Sequence, residues 1–139
     1  MIKALVDTNV LLDMMVEDRP DSEAAASLFN RALNGDVELA VCAGSLKDVY
    51  YIARRELSDD VRRAWIGLFL DVFDVFPVDS VICRIALASD EPDYEDGIVR
   101  ACAEWWSSDF IVSRDVKAFD ASSVPRIDSP GLVSILGME

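Results

Sequence analysis

The side chains able to do chemistry in this sequence are acids at four places along the chain. Asp7 closes the apolar run 2–6, and Asp115 stands just beyond the run 110–113. Asp48 follows the run 37–41, and Asp93, Glu95 and Asp96 open an amphipathic stretch. Carboxylates crowded together without cations repel, and some must then keep protons near neutral pH. An oxygen-only donor set, free of imidazole and thiolate, suits a hard divalent ion, Mg²⁺ or Mn²⁺. Such ions clamp phosphate oxygens and activate water, so phosphoryl chemistry is the class implied. Each acid also has an ordinary structural explanation. Asp7 within Asp7-Thr8-Asn9 suits a helix cap, and Asp48 the acidic half of a capping box begun by Ser45. Asp93, Glu95 and Asp96 favour a helix N-terminus through its dipole, and Asp115 suits an Asx-turn. Capping accounts for the acids one at a time but predicts no shared edge.

Whether they share one depends on the elements that carry them. Apolar runs of strand length alternate with segments of helical period. Strands are expected over 2–6, 37–41, 72–78 and 110–113, with Ile127 in a fifth. Helical character marks 10–16, and a second helix starts after Pro20, capped by Asp21 or Ser22, and stops at Gly35. Further helices are expected from Ser45 to about Leu57, over 61–70 behind Ser58, Asp59 and Asp60, and over 80–88. Tyr94, Ile98, Ala101, Cys102 and Trp105 then share one helical face. Ser129-Pro130 opens a final short helix. This alternation implies an α/β fold, a three-layer α/β/α sandwich around a mostly parallel sheet of roughly five strands. In open parallel sheets, ligands bind beyond the carboxyl ends of the strands. Asp7, Asp115 and Asp48 fall there. Asp93, Glu95 and Asp96 begin a helix that itself precedes a strand, so topology alone does not place them.

Composition narrows the chemistry further. Histidine is absent, which removes Ser-His-Asp and Cys-His catalysis and His-ligated zinc. The 139 residues carry 13 basic and 26 acidic side chains, a net charge of −13. Such a surface repels nucleic acid on average, so contact with RNA needs a local basic patch or a metal ion. The length fits one domain, 1–139, with no repeat or linker. Cys42, Cys83 and Cys102 fall in apolar stretches with no C-x-x-C pair, as buried thiols of a reducing compartment do. No tract reads as a signal peptide or membrane span, so a cytoplasmic protein is expected.

Four motifs in order resemble the PIN-domain family, the ribonuclease fold of VapC-type toxins from bacterial toxin–antitoxin pairs. Ala4-Leu5-Val6-Asp7-Thr8-Asn9-Val10-Leu11-Leu12-Asp13 is similar to that family's first motif, and Arg19-Pro20 follows where many small members have it. Ser45-Leu46-Lys47-Asp48-Val49-Tyr50-Tyr51 resembles the segment with the second acid. Asp93-Tyr94-Glu95-Asp96 resembles a D-F-E-D stretch bearing the third, and Phe110-Ile111-Val112-Ser113-Arg114-Asp115 the last strand and fourth acid. The resemblance covers essentially the whole chain. It implies metal-dependent RNA hydrolysis, with Asp7, Asp96 and Asp115 holding Mg²⁺ or Mn²⁺ and Asp48 completing the catalytic set. Asn9 and Ser113 would orient water or carboxylates beside them. It further implies a small antitoxin protein lying across the acidic pocket, and a homodimer. Three departures stand out. The second acid, often Glu, is Asp48. Gly97 replaces a common alanine, at a helix-propensity cost of about 1 kcal/mol. Ala118-Phe119 lacks the acid that often precedes the phenylalanine, with Asp120 beyond it.

Arg54, Arg55, Arg114 and Lys117 are candidates to guide an RNA backbone, against the alternative of solvated surface charge. Trp105 or Trp106 is a candidate base-stacking residue, one of the two being expected in the core because helical neighbours point about 100° apart. Two other classes stay in view. A phosphoacceptor signalling domain would show an acidic pair after the first strand, an Asp after the middle strand and a late Lys. This chain has Thr8-Asn9, Pro77-Val78-Asp79 and Arg114 there. A catalytically silent PIN-fold binding module would keep the acids without turnover.

Overall fold

A computed structural model describes residues 1–138. Five parallel strands, β1 (Lys3–Val6), β2 (Glu38–Cys42), β3 (Asp74–Phe76), β4 (Phe110–Val112) and β5 (Arg126–Ile127), form one sheet in the order β3-β2-β1-β4-β5. The chain builds outward from β1 to one side through β2 and β3, then returns to build β4 and β5 on the other. The reversal lies between β1 and β4. A crevice opens at such a switch point beyond the carboxyl ends of the strands.

Side-chain alternation along the strands sorts the core into two halves. Ala4, Val6, Leu39, Val41 and Val112 face α1 (Thr8–Met15), α2 (Ser22–Leu33), α3 (Ala43–Ile52), α4 (Asp59–Val72) and α7 (Ser129–Gly137). Leu5, Ala40, Cys42 and Ile111 face the other way, toward α5 (Ser80–Ala88) and α6 (Tyr94–Trp106). The first half is anchored by Phe69, fully buried on α4 and stacked on Phe73 at 5.4 Å between ring centroids. Rings at that separation add to the stabilisation given by area burial. The three-layer sandwich expected from the sequence is the fold.

Local boundaries differ from expectation for physical reasons. Helix α3 begins at Ala43, straight out of β2, with Cys42 as N-cap and no side-chain cap bond. Ser45 and Asp48 therefore lie inside the helix, and Ser45 caps nothing; its hydroxyl accepts a hydrogen bond from Thr8 Oγ1 at 3.1 Å. Helix α4 runs on to Val72 and turns Phe73 into the core, which leaves β3 three residues instead of the longer strand over 72–78. On α6 the buried positions are Gly97, Val99, Ala101, Cys102 and Ala103, while Tyr94 and Trp105 face solvent. Gly97 is there because α5 crosses close by. A Cβ at this position would lie 3.1 Å from the Ala86 carbonyl oxygen. No helix among the described residues is long and apolar enough to cross a membrane.

Candidate active site

Asp7 sits where β1 turns directly into α1, and both explanations of it hold together. Its Oδ1 accepts the Thr8 amide hydrogen at 2.8 Å, an N-terminal cap. Its Oδ2 accepts the Ser113 hydroxyl at 2.7 Å, which ties the end of β1 to the end of β4 across the switch point. Ser113 is fully buried, and its oxygen also takes the Asp115 amide hydrogen at 3.1 Å. Asn9, one residue into α1, extends the link. Its side-chain nitrogen lies 3.4 Å from both Asp7 Oδ2 and Ser113 Oγ, and its oxygen accepts the Arg114 amide hydrogen at 3.3 Å. The polar seam Asp7–Asn9–Ser113–Asp115 thus fixes two strand ends that lie far apart in sequence.

Asp115 projects at the exposed end of that seam and caps its own turn, accepting the Lys117 amide hydrogen at 3.0 Å. From the opposite layer, Asp93 caps α6 by accepting the Glu95 amide hydrogen at 2.9 Å, and Asp96 follows in the first turn. The Asp96 carboxylate accepts no hydrogen bond from the described residues. Burial pushes it up to about 7, and the charges of Asp7, Asp93, Asp115 and Glu91 add to the effect. Asp7 is raised in the same way, first by burial and then by Asp115 and Asp93, against the opposing bonds from Ser113 and Thr8. The α6 terminus therefore reaches the same edge as Asp7 and Asp115, which topology alone does not decide.

Among the described residues, none of these acids pairs with a lysine or arginine. The Arg114 guanidinium turns away to Asp13, with Nε 2.8 Å from Oδ2, and Arg126 Nη1 donates to the Ser113 carbonyl oxygen at 2.9 Å. The donors are all oxygen, mutually repelling and partly desolvated, which fits a hard divalent ion better than any softer metal. Among the described residues, no three acidic or thiol side chains are already drawn into a ligating cluster.

The remaining candidates fall at varied distances. Asp48, half-buried one turn beyond Ser45 on α3, makes no hydrogen bond with the other acids. Arg54 and Arg55 lie past the far end of α3, at the opposite edge of the sheet, where Arg54 packs on the Tyr51 ring at 3.9 Å. Lys117 is exposed next to Asp115. Trp106 is half-buried, and Trp105 is 70% exposed with its edge against Phe76. Asp120 is exposed, whereas Phe119 is buried in the second core half at a φ of 70°. Asp13 and Arg19 were not among the sequence candidates. Arg19 Nε donates to Asp13 Oδ1 at 2.8 Å, opposite Arg114. The adjacent Arg19-Pro20 and Asp13 in the first motif were the available signal.

A sequence model described as the PIN domain matches residues 3–117. No curated protein matches the chain. Among solved structures, VapC20 from Mycobacterium tuberculosis, a Sarcin-Ricin loop cleaving toxin, superposes with a TM-score of 0.67 at 14% identity, over 81% of this chain and 89% of that one. A toxin–antitoxin complex from Klebsiella pneumoniae gives 0.65 at 19% identity, over 91% and 97%. A DNA-bound VapBC from Salmonella typhimurium gives 0.66 at 18% identity, over 93% and 99%. At these identities the likeness speaks for the fold.

Proposed function

Because the chain belongs to the PIN domain family, we propose that it is a metal-dependent endoribonuclease, the toxin of a toxin–antitoxin pair, hydrolysing RNA at the acidic edge. One observation carries this reading: Asp7, Asp93, Asp96 and Asp115 meet at the switch point, repel one another, and pair with no lysine or arginine among the described residues. Asp7, Asp96 and Asp115 would hold Mg²⁺ or Mn²⁺, and Asp48 would border the pocket from α3. When bound, the ion supplies a water of lowered pKa and positive charge opposite the phosphate. Ser113 and Asn9 keep the Asp7 carboxylate in one orientation and hold the Asp115 turn against it. That preorganisation spares the site a rearrangement at the moment of attack.

The toxin assignment draws on neighbours described as toxin–antitoxin complexes. On this reading a small antitoxin covers the acidic pocket, where an arginine of the partner supplies the missing positive charge. A homodimer is part of the same proposal. Cys42 and Cys102, side by side as free thiols, are in keeping with a reducing cytoplasm.

The test is cleavage of a structured RNA pool in Mg²⁺, Mn²⁺ or EDTA by the wild type and by Asp7→Asn and Asp96→Asn prepared identically. Cleavage that needs metal and vanishes in both variants is expected. Equal cleavage by all three proteins would mean a contaminating ribonuclease and would remove the catalytic reading.

A further inference from the structure

Asp13 is an unusual carboxylate. It lies on α1 one turn after Asn9, its side chain has no exposure to solvent, and it is shared by two arginines. Arg19 Nε approaches one oxygen at 2.8 Å; Arg114 Nε meets the other at 2.8 Å, with Nη2 at 3.1 Å from the first. One buried negative charge against two positive ones leaves the group cationic by one. The two arginine side chains are about equally open, at 31% for Arg19 and 28% for Arg114. Both Nη groups of Arg19 and Nη1 of Arg114 make no hydrogen bond among the described residues and are not buried.

This pair adjoins the acidic edge. Arg114 stands between Ser113 and Asp115, and its amide hydrogen goes to Asn9. Arg100 instead meets three acids, Asp90, Glu91 and Glu104, and Arg31 meets Asp36; the other carboxylate shared by two arginines, Asp59 with Arg62 and Arg63 on α4, is half exposed, whereas Asp13 is fully buried. In a chain of net charge −13, a locally cationic spot next to the carboxylates is the place where an anionic backbone can rest. Arginine forks suit phosphate geometry, and side chains already immobilised lose less entropy when they bind.

We propose that Arg19 and Arg114, braced by Asp13, form a phosphate-gripping pair for the RNA strand flanking the cleavage site. The proposal rests on the nuclease reading above. Asp13 acts through the arginines and is a positioning residue. It explains a buried acid in the first motif that no metal-binding role requires, and it adds Arg19 to the site. A purely structural brace, tying α1 to the loops after α1 and β4, is the competing account.

Salt dependence separates the two. Anisotropy of a labelled, mixed-sequence single-stranded RNA is measured in Ca²⁺ at several salt concentrations, with the RNA checked for intactness. Arg19→Gln and Arg114→Gln are each expected to weaken binding about tenfold at low salt. Each should also flatten the slope of log affinity against log salt by ~0.7, the loss of one phosphate contact to a single strand. Arg63→Gln, at a surface pair on α4, should change neither. Arg19→Lys keeps the charge and so the slope, but loses the fork and part of the affinity. It also serves if a glutamine variant fails to fold. Folded variants with wild-type affinity and slope would overturn the pair and leave the brace, as would undiminished binding by Arg19→Lys where the glutamine variant cannot be read. A wild type that binds no RNA would overturn the nuclease reading itself.

Discussion

Removing one acid should stabilise the metal-free protein, in a pH-dependent way that can be worked out in advance. Asp96 titrates at about 7 in the fold, against an ordinary 3.8, because burial and four neighbouring carboxylates disfavour its charge. The folded state thus keeps a proton that the unfolded state releases near 3.8. Stability from this group is greatest below that value, falls as pH rises toward 7, and is flat above. Fully shielded, the difference would amount to about 4 kcal/mol. Asp96 is only partly buried, and screening by water reduces this to on the order of 1–2 kcal/mol. Asp96→Asn removes the charge and keeps the shape. In EDTA at about pH 8 the variant should therefore be more stable than wild type by on the order of 1–2 kcal/mol, a rise of about 3–8 °C in Tm. At pH 4 or below, roughly, the gain should disappear. Urea unfolding at both pH values measures it directly. Mg²⁺ should reverse the order, since an ion at 100 times its Kd stabilises the protein that binds it by about 2.7 kcal/mol. A variant less stable than wild type at the higher pH, or a gain unchanged at the lower, would refute the picture of frustrated carboxylates.

Two further outcomes test the frame around the site. Ser113→Ala should cost about 1–3 kcal/mol in urea unfolding, because a buried Asp7 oxygen and the Asp115 amide lose their shared partner. It should also push the Asp7 carboxyl further up, observable as a shifted titration of its side-chain carbon resonance. Gly97→Ala gains about 1 kcal/mol of helix propensity, yet its new methyl would press on the Ala86 carbonyl oxygen at 3.1 Å. Overpacking against backbone typically costs more, so a net loss of about 1 kcal/mol is expected in thermal unfolding, and a gain would mean that α5 yields freely.

The layered fold and the strand ends were legible because they are written in local pattern. An apolar run stopped by Asp7, another followed by Asp115, and alternation of strands with helices suffice to predict a shared edge. Helix caps were legible at Asp7 and Ser58, where a side chain makes the cap bond; the last helix was placed by Ser129-Pro130, though Asp128 caps it. The start of α3 was hidden because Cys42 caps it without any side-chain signal. The α6 face was misjudged because Trp105 follows the hydrophobic period, yet the sheet beneath is already filled by Ala101, Cys102 and Ala103. Topology alone did not bring Asp96 to Asp7, a grouping that only the family resemblance implied, and the association of Asp13 with two arginines could not be read at all. Arg114 and Asp13 are 101 residues apart, and only the folded sheet makes them neighbours.

The first of the five strands to be made, β1, is the middle strand of the sheet, and this bears on when the acidic edge can form. A chain leaving the ribosome can lay β2 beside β1 early, but the other flank of β1 waits for β4, and Asp7 waits for a serine 106 residues downstream. At roughly 5–20 residues per second, synthesis of that interval takes on the order of 5–20 s. Throughout it the nascent polypeptide has Asp7 and no seam to fix it. Products of aborted translation ending before β4 lack Ser113 and Asp115, two members of the seam. On the proposed nuclease reading, a site built on this strand order is completed only late in synthesis, which leaves an inhibitor made nearby several seconds to arrive.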